Sequence, residues 1–235
     1  MKDLFCGIKN AIDFDLNVRK YYETKVVRRA KLLDIGGRNS ESKSRKRINA
    51  LKKDVVNVVV STDIYEDYGP DLVDDICYSK TQPNSFYGIY CDAVLEHVEA
   101  YWLAIENIYS IPVKGGEAFI YVPFIYPFHG RTDYHRFTFT ELARITSKIE
   151  IRKIFVTGKD SGFGFILWYI GTFGAITKFP FLHSKLALLS NNILKALLFL
   201  IYNIKNKYKD NSFLEFSFFY TYLAYNHGFC AYVKK

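Results

Sequence analysis

Sulfur is scarce in this chain, which has one methionine and four cysteines, Cys6, Cys77, Cys91 and Cys230. No two cysteines form a CxxC pair, so a cysteine-held zinc site is excluded and no metal site is expected. The pattern is that of reduced thiols in a cytosolic protein. Phosphate-binding glycine motifs are missing as well. Gly36 is followed by Gly37, Arg38, Asn39, Ser40 and Glu41, which breaks the GxGxxG spacing of a dinucleotide fold. No GK[ST] follows, and that excludes a P-loop. The segment "MKDLFCGIKNAIDFD" interrupts its apolar run with Lys9, Asp13 and Asp15, so no secretory signal is read there. No internal repeat is evident.

Acidic residues are scarce in one region. Residues 25–53 hold eleven Lys or Arg against Asp34 and Glu41, a local +9 in a chain of net charge +8. Such a patch suits nucleic acid, an anionic membrane surface or a phosphorylated substrate, or it is one solvated helix face. It contains no aromatic residue to stack on a base, which disfavours nucleic acid. Apolar and aromatic residues, by contrast, are abundant. Hydrophobic residues make up 49%, with 19 Tyr and 20 Phe among 235 residues. That excludes a disordered chain and allows one sizeable α/β domain, or one with an insertion.

From residue 20 onward two periodicities alternate. "YYETKVVRRA" predicts a short helix, "KLLDIGG" a strand ending in glycines, "SKSRKRINALKKD" a polar helix or loop, and "VVNVVVSTDI" a buried strand. "FYGIYCDAVLEHV" predicts a strand leading into a helix that continues through "EAYWLAIENIYSI" and ends in a turn at "KGG". "EAFIYVP" and "EIRKIFVTG" predict strands on either side of a helix in "TFTELARITS", with Thr138 or Thr140 as its N-cap. "FCAYV" predicts a final short strand. This alternation means a mainly parallel sheet with helices on both faces, which binds ligands beyond the carboxyl ends of its strands.

Residues 162–204 depart from the pattern. "GFGFILWYIGTFGAIT" is sixteen residues without a charge, short of the about 20 that a spanning helix needs. "LALLSNNILKALLFLIYNI" is long enough but carries Asn191, Asn192 and Lys195. Asn191, Lys195, Tyr202 and Asn206 make a narrow polar stripe on an apolar helix. Such a helix packs on the sheet or on a second subunit of a homodimer. Its other reading is a helix lying in a membrane interface, favoured by Trp168, Tyr169, Lys205, Lys207 and Lys209.

Two places carry candidate chemistry. In "LLDIGGRN", Asp34, Gly36 and Gly37 stand where a first strand turns into a helix and where backbone amides can face a ligand. Asp63 ends the second strand, where a carboxylate can accept both hydroxyls of a ribose. Asp75 follows twelve residues later. The second place is "FHGRTDYHRFTFTEL", Phe128 to Leu142, which crowds two His, an Asp, a Tyr and two Arg into nine residues.

From about Lys31 to Gly158 these motifs, in this order, resemble the class I S-adenosylmethionine-dependent methyltransferases, particularly the type 11 group. "LLDIGG" looks like the first cofactor motif, with Arg38 at the usual third glycine. "STDI" looks like the second-strand motif, which implies Asp63, with Ile64 beside it, on the ribose. "LVDDI" looks like the third, which implies Asp75 and Ile76 beside the adenine. "CDAVLEHV" resembles the fourth-strand region, with Tyr87 where an aspartate is familiar; Glu96 and His97 there read first as groups that stabilise the cofactor loop. "PFHGRTDYHRFTFTEL" resembles a loop of bacterial members associated with surface-glycan pathways.

The resemblance implies a Rossmann-like sheet with a helical insertion or cover near the C-terminus. It also implies one methyltransferase domain over 1–235: a cofactor-binding core at 20–160, an apolar helical segment at 161–210 and a C-terminal strand region at 211–235. The cofactor would be S-adenosylmethionine, held by Asp34, Gly36, Gly37, Asp63, Ile64, Asp75 and Ile76. Methyl transfer to a hydroxyl needs positioning and a base, which makes His129, His135 and Asp133 the catalytic candidates. Tyr134 and Arg136 are the substrate-binding ones. The expected activity is methylation of a small-molecule or glycan acceptor in the cytoplasm, or at the inner face of the membrane. An RNA methyltransferase and an inactive scaffolding protein on the same fold are the alternatives.

Overall fold

The computed structural model describes residues 18–53, 55–147, 150–156 and 228–235, together with Leu189 and Ile193. The chain divides into two compact units, and the sheet belongs to the one formed by Asn17–Phe155 and Gly228–Lys235. Its elements are α1 (Val18–Val27), β1 (Lys31–Ile35), α2 (Lys43–Lys52), β2 (Val58–Asp63), β3 (Leu72–Val73), β4 (Phe86–Asp92), α3 (Tyr101–Ser110), β5 (Pro112–Pro123), α4 (Phe139–Ile145), β6 (Glu150–Val156) and β7 (Gly228–Lys234). The strands form one seven-stranded sheet in the order β3-β2-β1-β4-β5-β7-β6. β1 to β5 pair in parallel, and β7 runs antiparallel to β5.

Strand periodicity explains how this sheet is buried. Leu32, Tyr90, Phe119, Tyr121, Cys230 and Tyr232 share one face and pack with Val26 and Val27 of α1 and Ile48 of α2. The intervening residues Leu33, Ile35, Ile89, Ile120 and Ala231 are equally buried, so both faces are covered, as a parallel sheet requires. The polar segment at 43–52 is a helix because Ser42 caps it, accepting from Arg45 N at 3.2 Å. Thr138 is the cap of α4, accepting from Glu141 N at 3.2 Å. Each cap satisfies a helix-end amide that has no partner within its own helix.

Two sequence expectations are corrected. The helix expected to run continuously from "VLEHV" through "YSI" is divided. β4 ends at Asp92, Ala93 takes a left-handed conformation (φ 58), Leu95–His97 form one helical turn, and α3 starts afresh at Tyr101. Extended Val98 separates the two helical pieces. The "KGG" turn is not a helix end either, because Lys114, Gly115 and Gly116 lie within β5. Pro112 stops α3 sooner, since it has no amide to continue the helix. Gly115 N then donates to Lys235 O at 2.7 Å and Lys235 N to Gly116 O at 3.0 Å. The expectation for 162–204, and with it membrane contact and dimerisation through that segment, lies outside the described residues apart from Leu189 and Ile193, which are helical. Among the described residues no helix is long and apolar enough to cross a membrane.

Candidate active site

A cleft of about 490 Å³ opens at the carboxyl ends of β1, β2 and β4, where sheets of this kind bind ligands. Its floor is the β1 turn. Gly36 lines the cleft at φ 70, and a Cβ there would stand 2.6 Å from Val94 Cγ2. Gly37 is required for another reason, since its Cβ would lie 2.4 Å from Asp34 Oδ2. Glycine is thus needed at both positions, which no reading of spacing alone could establish.

Six of the residues expected at the site line the cleft: Gly36, Asp63, Ile64, Asp75, Ile76 and Tyr134. Asp63 is held at the tip of β2, where its Oδ1 accepts from Tyr65 N at 3.0 Å. Asp75 Oδ1 accepts from Cys77 N at 2.9 Å and so shapes the turn Ile76–Tyr78. Gly37 does not line the cleft, and neither does Asp34. The Asp34 carboxylate is buried under the turn, where it accepts from Ser44 Oγ at 3.1 and 3.0 Å. Burial pushes it up to about 7.

The charged segment after β5 is more internally tied than its composition suggests. Arg136 was expected to bind substrate, but the structure gives it structural work. Its Nε donates to Tyr126 O at 3.2 Å, its Nη1 to His135 O at 2.8 Å, and its Nη2 to Pro127 O at 3.1 Å and Asp133 Oδ2 at 2.6 Å. Its Nη1 also meets Asp133 Oδ1. Asp133 in turn accepts from His129 N at 2.9 Å, and the Arg136 guanidinium holds its carboxyl down at about 2. Both are stitches of the loop, built from a planar fork meeting a carboxylate. His135 turns its Nε2 to Glu99 O at 3.0 Å and packs edge-on against Tyr101. None of these three lines the cleft.

His129 sits behind His97, the two rings edge-on with centroids 4.7 Å apart. His97 is the one that lines the cleft. Between them Glu96 is completely buried, 3.8 Å from the Nε2 of each ring. Burial pushes its carboxyl up to about 8, and burial likewise lowers the His129 imidazole. The backbone of Glu96 ties down the charged segment after β5: its carbonyl accepts from Tyr134 N at 2.8 Å and His135 N at 3.2 Å.

Sequence reasoning missed the aromatic and cationic wall of the cleft. Tyr65 and Tyr68 meet edge-on at 5.5 Å. Arg38 lies 3.9 Å above the Tyr68 ring and Arg131 lies 4.9 Å above Tyr65, contacts that favour a cation over an aromatic face. The signal was "DIYEDYG", with two tyrosines three apart just beyond Asp63. Arg38, which replaces a familiar glycine, is therefore part of the wall. Tyr87 lies near the amino end of β4, away from the cleft, so that departure does not reach the site.

No protein-family model matches the chain, and no curated protein does. Solved structures do. A methyltransferase from Archaeoglobus fulgidus described as S-adenosylmethionine-dependent superposes with TM-score 0.51 at 14% identity, over 92% of this chain and 94% of that one. Phosphoethanolamine N-methyltransferase 2 of Haemonchus contortus, in complex with S-adenosylmethionine, gives 0.50 at 17%, over 91% of this chain; the chain spans only 52% of that enzyme. The [4+2]-cyclase SpnF gives 0.50 at 12%, over 92% and 80%. The chain therefore has the Rossmann-like class I methyltransferase fold.

Proposed function

We propose that this protein transfers a methyl group from S-adenosylmethionine to a hydroxyl of a small-molecule or glycan acceptor. One observation carries the reading: a single cleft runs from the Asp63 carboxylate to His97 and Tyr134, so a nucleoside held at one end leaves its sulfonium towards the other. The cofactor choice draws support from two proteins of the same fold, one described as S-adenosylmethionine-dependent and one as a complex with it. The cyclase on the same fold makes direct measurement necessary, because fold does not fix chemistry.

In this reading Asp63 receives the ribose hydroxyls. Ile64, Ile76 and the tyrosine pair give the base an apolar and aromatic surface. The sulfonium carries the chemistry, and the protein supplies alignment, worth roughly 7–11 kcal/mol in well-oriented pairs. Tyr134, exposed on the cleft rim, is the acceptor contact that the charged segment offers. The hydroxyl proton is received at the cluster of Glu96, His97 and His129.

Calorimetry with S-adenosylmethionine is the test. Asp63→Ala should weaken binding at least tenfold, about 1.4 kcal/mol, through loss of charge-assisted hydrogen bonds. An unchanged dissociation constant removes Asp63 from the site, and no binding by the parent chain ends the reading. The acceptor class is then read by mass spectrometry of a glycan and metabolite pool incubated with isotopically labelled cofactor.

A further inference from the structure

The Glu96, His97 and His129 cluster has an electrostatic defect that points to a missing cation. The Nδ1 of His97 contacts the carbonyl of Thr132. That of His129 faces the carbonyl of Pro127 at 3.2 Å and Asp133 Oδ2 at 3.5 Å. These oxygens only accept, so in each neutral ring the hydrogen is on Nδ1 and the Nε2 carries a bare lone pair. Both Nε2 atoms face Glu96 Oε1 at 3.8 Å. The Glu96 carboxylate is fully buried, and neither of its oxygens has a hydrogen-bond partner in another residue. The one neighbouring guanidinium does not fill the gap, because the nitrogens of Arg136 donate to Tyr126, Pro127, Asp133 and His135. With Glu96 as the carboxylate and both imidazoles neutral, the forms that bind a metal, three groups that only accept converge on one point. Among the described residues the other buried side-chain atoms without a partner are Arg45 Nε and Asn57 Oδ1.

We propose that this point binds a divalent first-row transition ion, with zinc as the best fit. The ligand atoms of the three residues lie within 4.8 Å of one another. The centre of such a triangle is roughly 2.2–2.5 Å from each corner, so a contraction of a few tenths of an ångström reaches zinc–nitrogen and zinc–oxygen bond lengths. Two imidazoles and one carboxylate form a ligand set that zinc accepts and magnesium or calcium does not favour. The carbonyls on both Nδ1 atoms are the outer contacts that orient metal-bound histidines. The cysteine count excluded a thiolate site, and this one uses none.

Three protein ligands leave a coordination position open. His97 lies on the cleft wall, so that position adjoins the acceptor end. With the metal bound the three side chains no longer take the acceptor's proton themselves; a hydroxyl bound there would instead be acidified by the metal and lose its proton to solvent in the cleft. That use rests on the methyl-transfer reading, but the binding of metal does not.

The experiment is done on the full chain, stripped with a chelator, loaded with zinc and exchanged into metal-free buffer. About one equivalent should be retained, the stoichiometry of a three-ligand site, and cobalt loading should give visible d–d absorption. Glu96→Gln and His129→Asn should each weaken zinc binding at least tenfold against a chromophoric chelator, while His135→Asn leaves it unchanged. Circular dichroism checks the fold, and the half-exposed His129 provides the decisive variant if Glu96→Gln does not fold. Failure of the parent to retain zinc, or equal retention by the folded variants, overturns the inference. Stripped protein that binds S-adenosylmethionine but takes up no zinc overturns this inference alone. Zinc uptake without cofactor binding overturns methyl transfer alone.

Discussion

Asp34 lies beneath the glycine turn with 1% of its surface exposed, and its ionisation opposes the fold. Burial raises it most. The Ser44 hydroxyl and Arg45 pull it back, and Asp92 and Asp71 push it up again, leaving it at about 7 against an ordinary 3.8. A carboxyl raised in the folded state contributes stability that is complete below about pH 4 and is lost as pH rises through about 7. Between pH 5 and 8 that loss is about 2 to 3 kcal/mol. Asp34→Asn cannot ionise, so its urea stability should decline correspondingly less over that interval. Parallel pH profiles for parent and variant would show that the carboxyl titrates normally. At this scale the sequence was informative about residues that end strands, such as Gly36 and Asp63. It left the roles of Asp133 and Arg136 open, because an Asp–Arg pair three residues apart looks the same on paper whether it faces a ligand or its own loop. Only the carbonyls of Tyr126, Pro127 and His135, which take the remaining donors, decide between these roles.

α1 is joined to the tip of β4 by charge as well as by its apolar face. Arg19 Nη2 donates to both oxygens of Asp92 at 2.8 and 2.9 Å, and its Nε to Glu23 Oε1 at 2.8 Å. Tyr90 donates to Asp92 at 3.0 Å and Glu23 at 3.2 Å, and Arg47 of α2 reaches Glu23 at 2.6 Å. Removing Arg19 would leave two carboxylates facing each other, one of them fully buried. Losing one member of such a network typically costs about 3–5 kcal/mol. Arg19→Met should therefore destabilise the protein by about 3 kcal/mol in urea unfolding; a change below about 0.5 kcal/mol would make the network dispensable. Among the described residues the elements were legible where periodicity was strong: β1, β2, β4 and β6 lie within their quoted segments, and β5 and β7 contain theirs and run beyond them. They were misread where the chain bends at the cleft. The left-handed Ala93 is held by a bond from its N to Tyr121 O at 3.1 Å, a partner 28 residues away that no local pattern in "CDAVLEHV" announces.

At the scale of the whole molecule, the basic stretch at 25–53 poses the remaining question about partners. Much of its charge is answered within the protein. Arg29 and Lys25 pair with Glu117, Arg45 with Asp71, Lys46 with Glu41 and Arg47 with Glu23. Lys31 lies over Phe86 and Arg38 over Tyr68, and Arg28 donates to Leu51 O. Eight of the eleven cations thus have partners, and several are spread over different strands and helices rather than aligned along one groove. Phosphate binding draws its strength from releasing counterions around unneutralised cations, and it weakens steeply with salt. Five of these cations already meet a carboxylate and three more are held against a backbone carbonyl or an aromatic ring, so the stretch offers less than its local charge suggests. Fluorescence anisotropy with a single-stranded RNA 20-mer at about 150 mM salt should accordingly give a dissociation constant weaker than about 10⁻⁵ M, within the non-specific range. A submicromolar affinity that falls steeply as salt rises would show the paired cations switching to phosphates, and it would turn the acceptor from a glycan or small molecule to RNA.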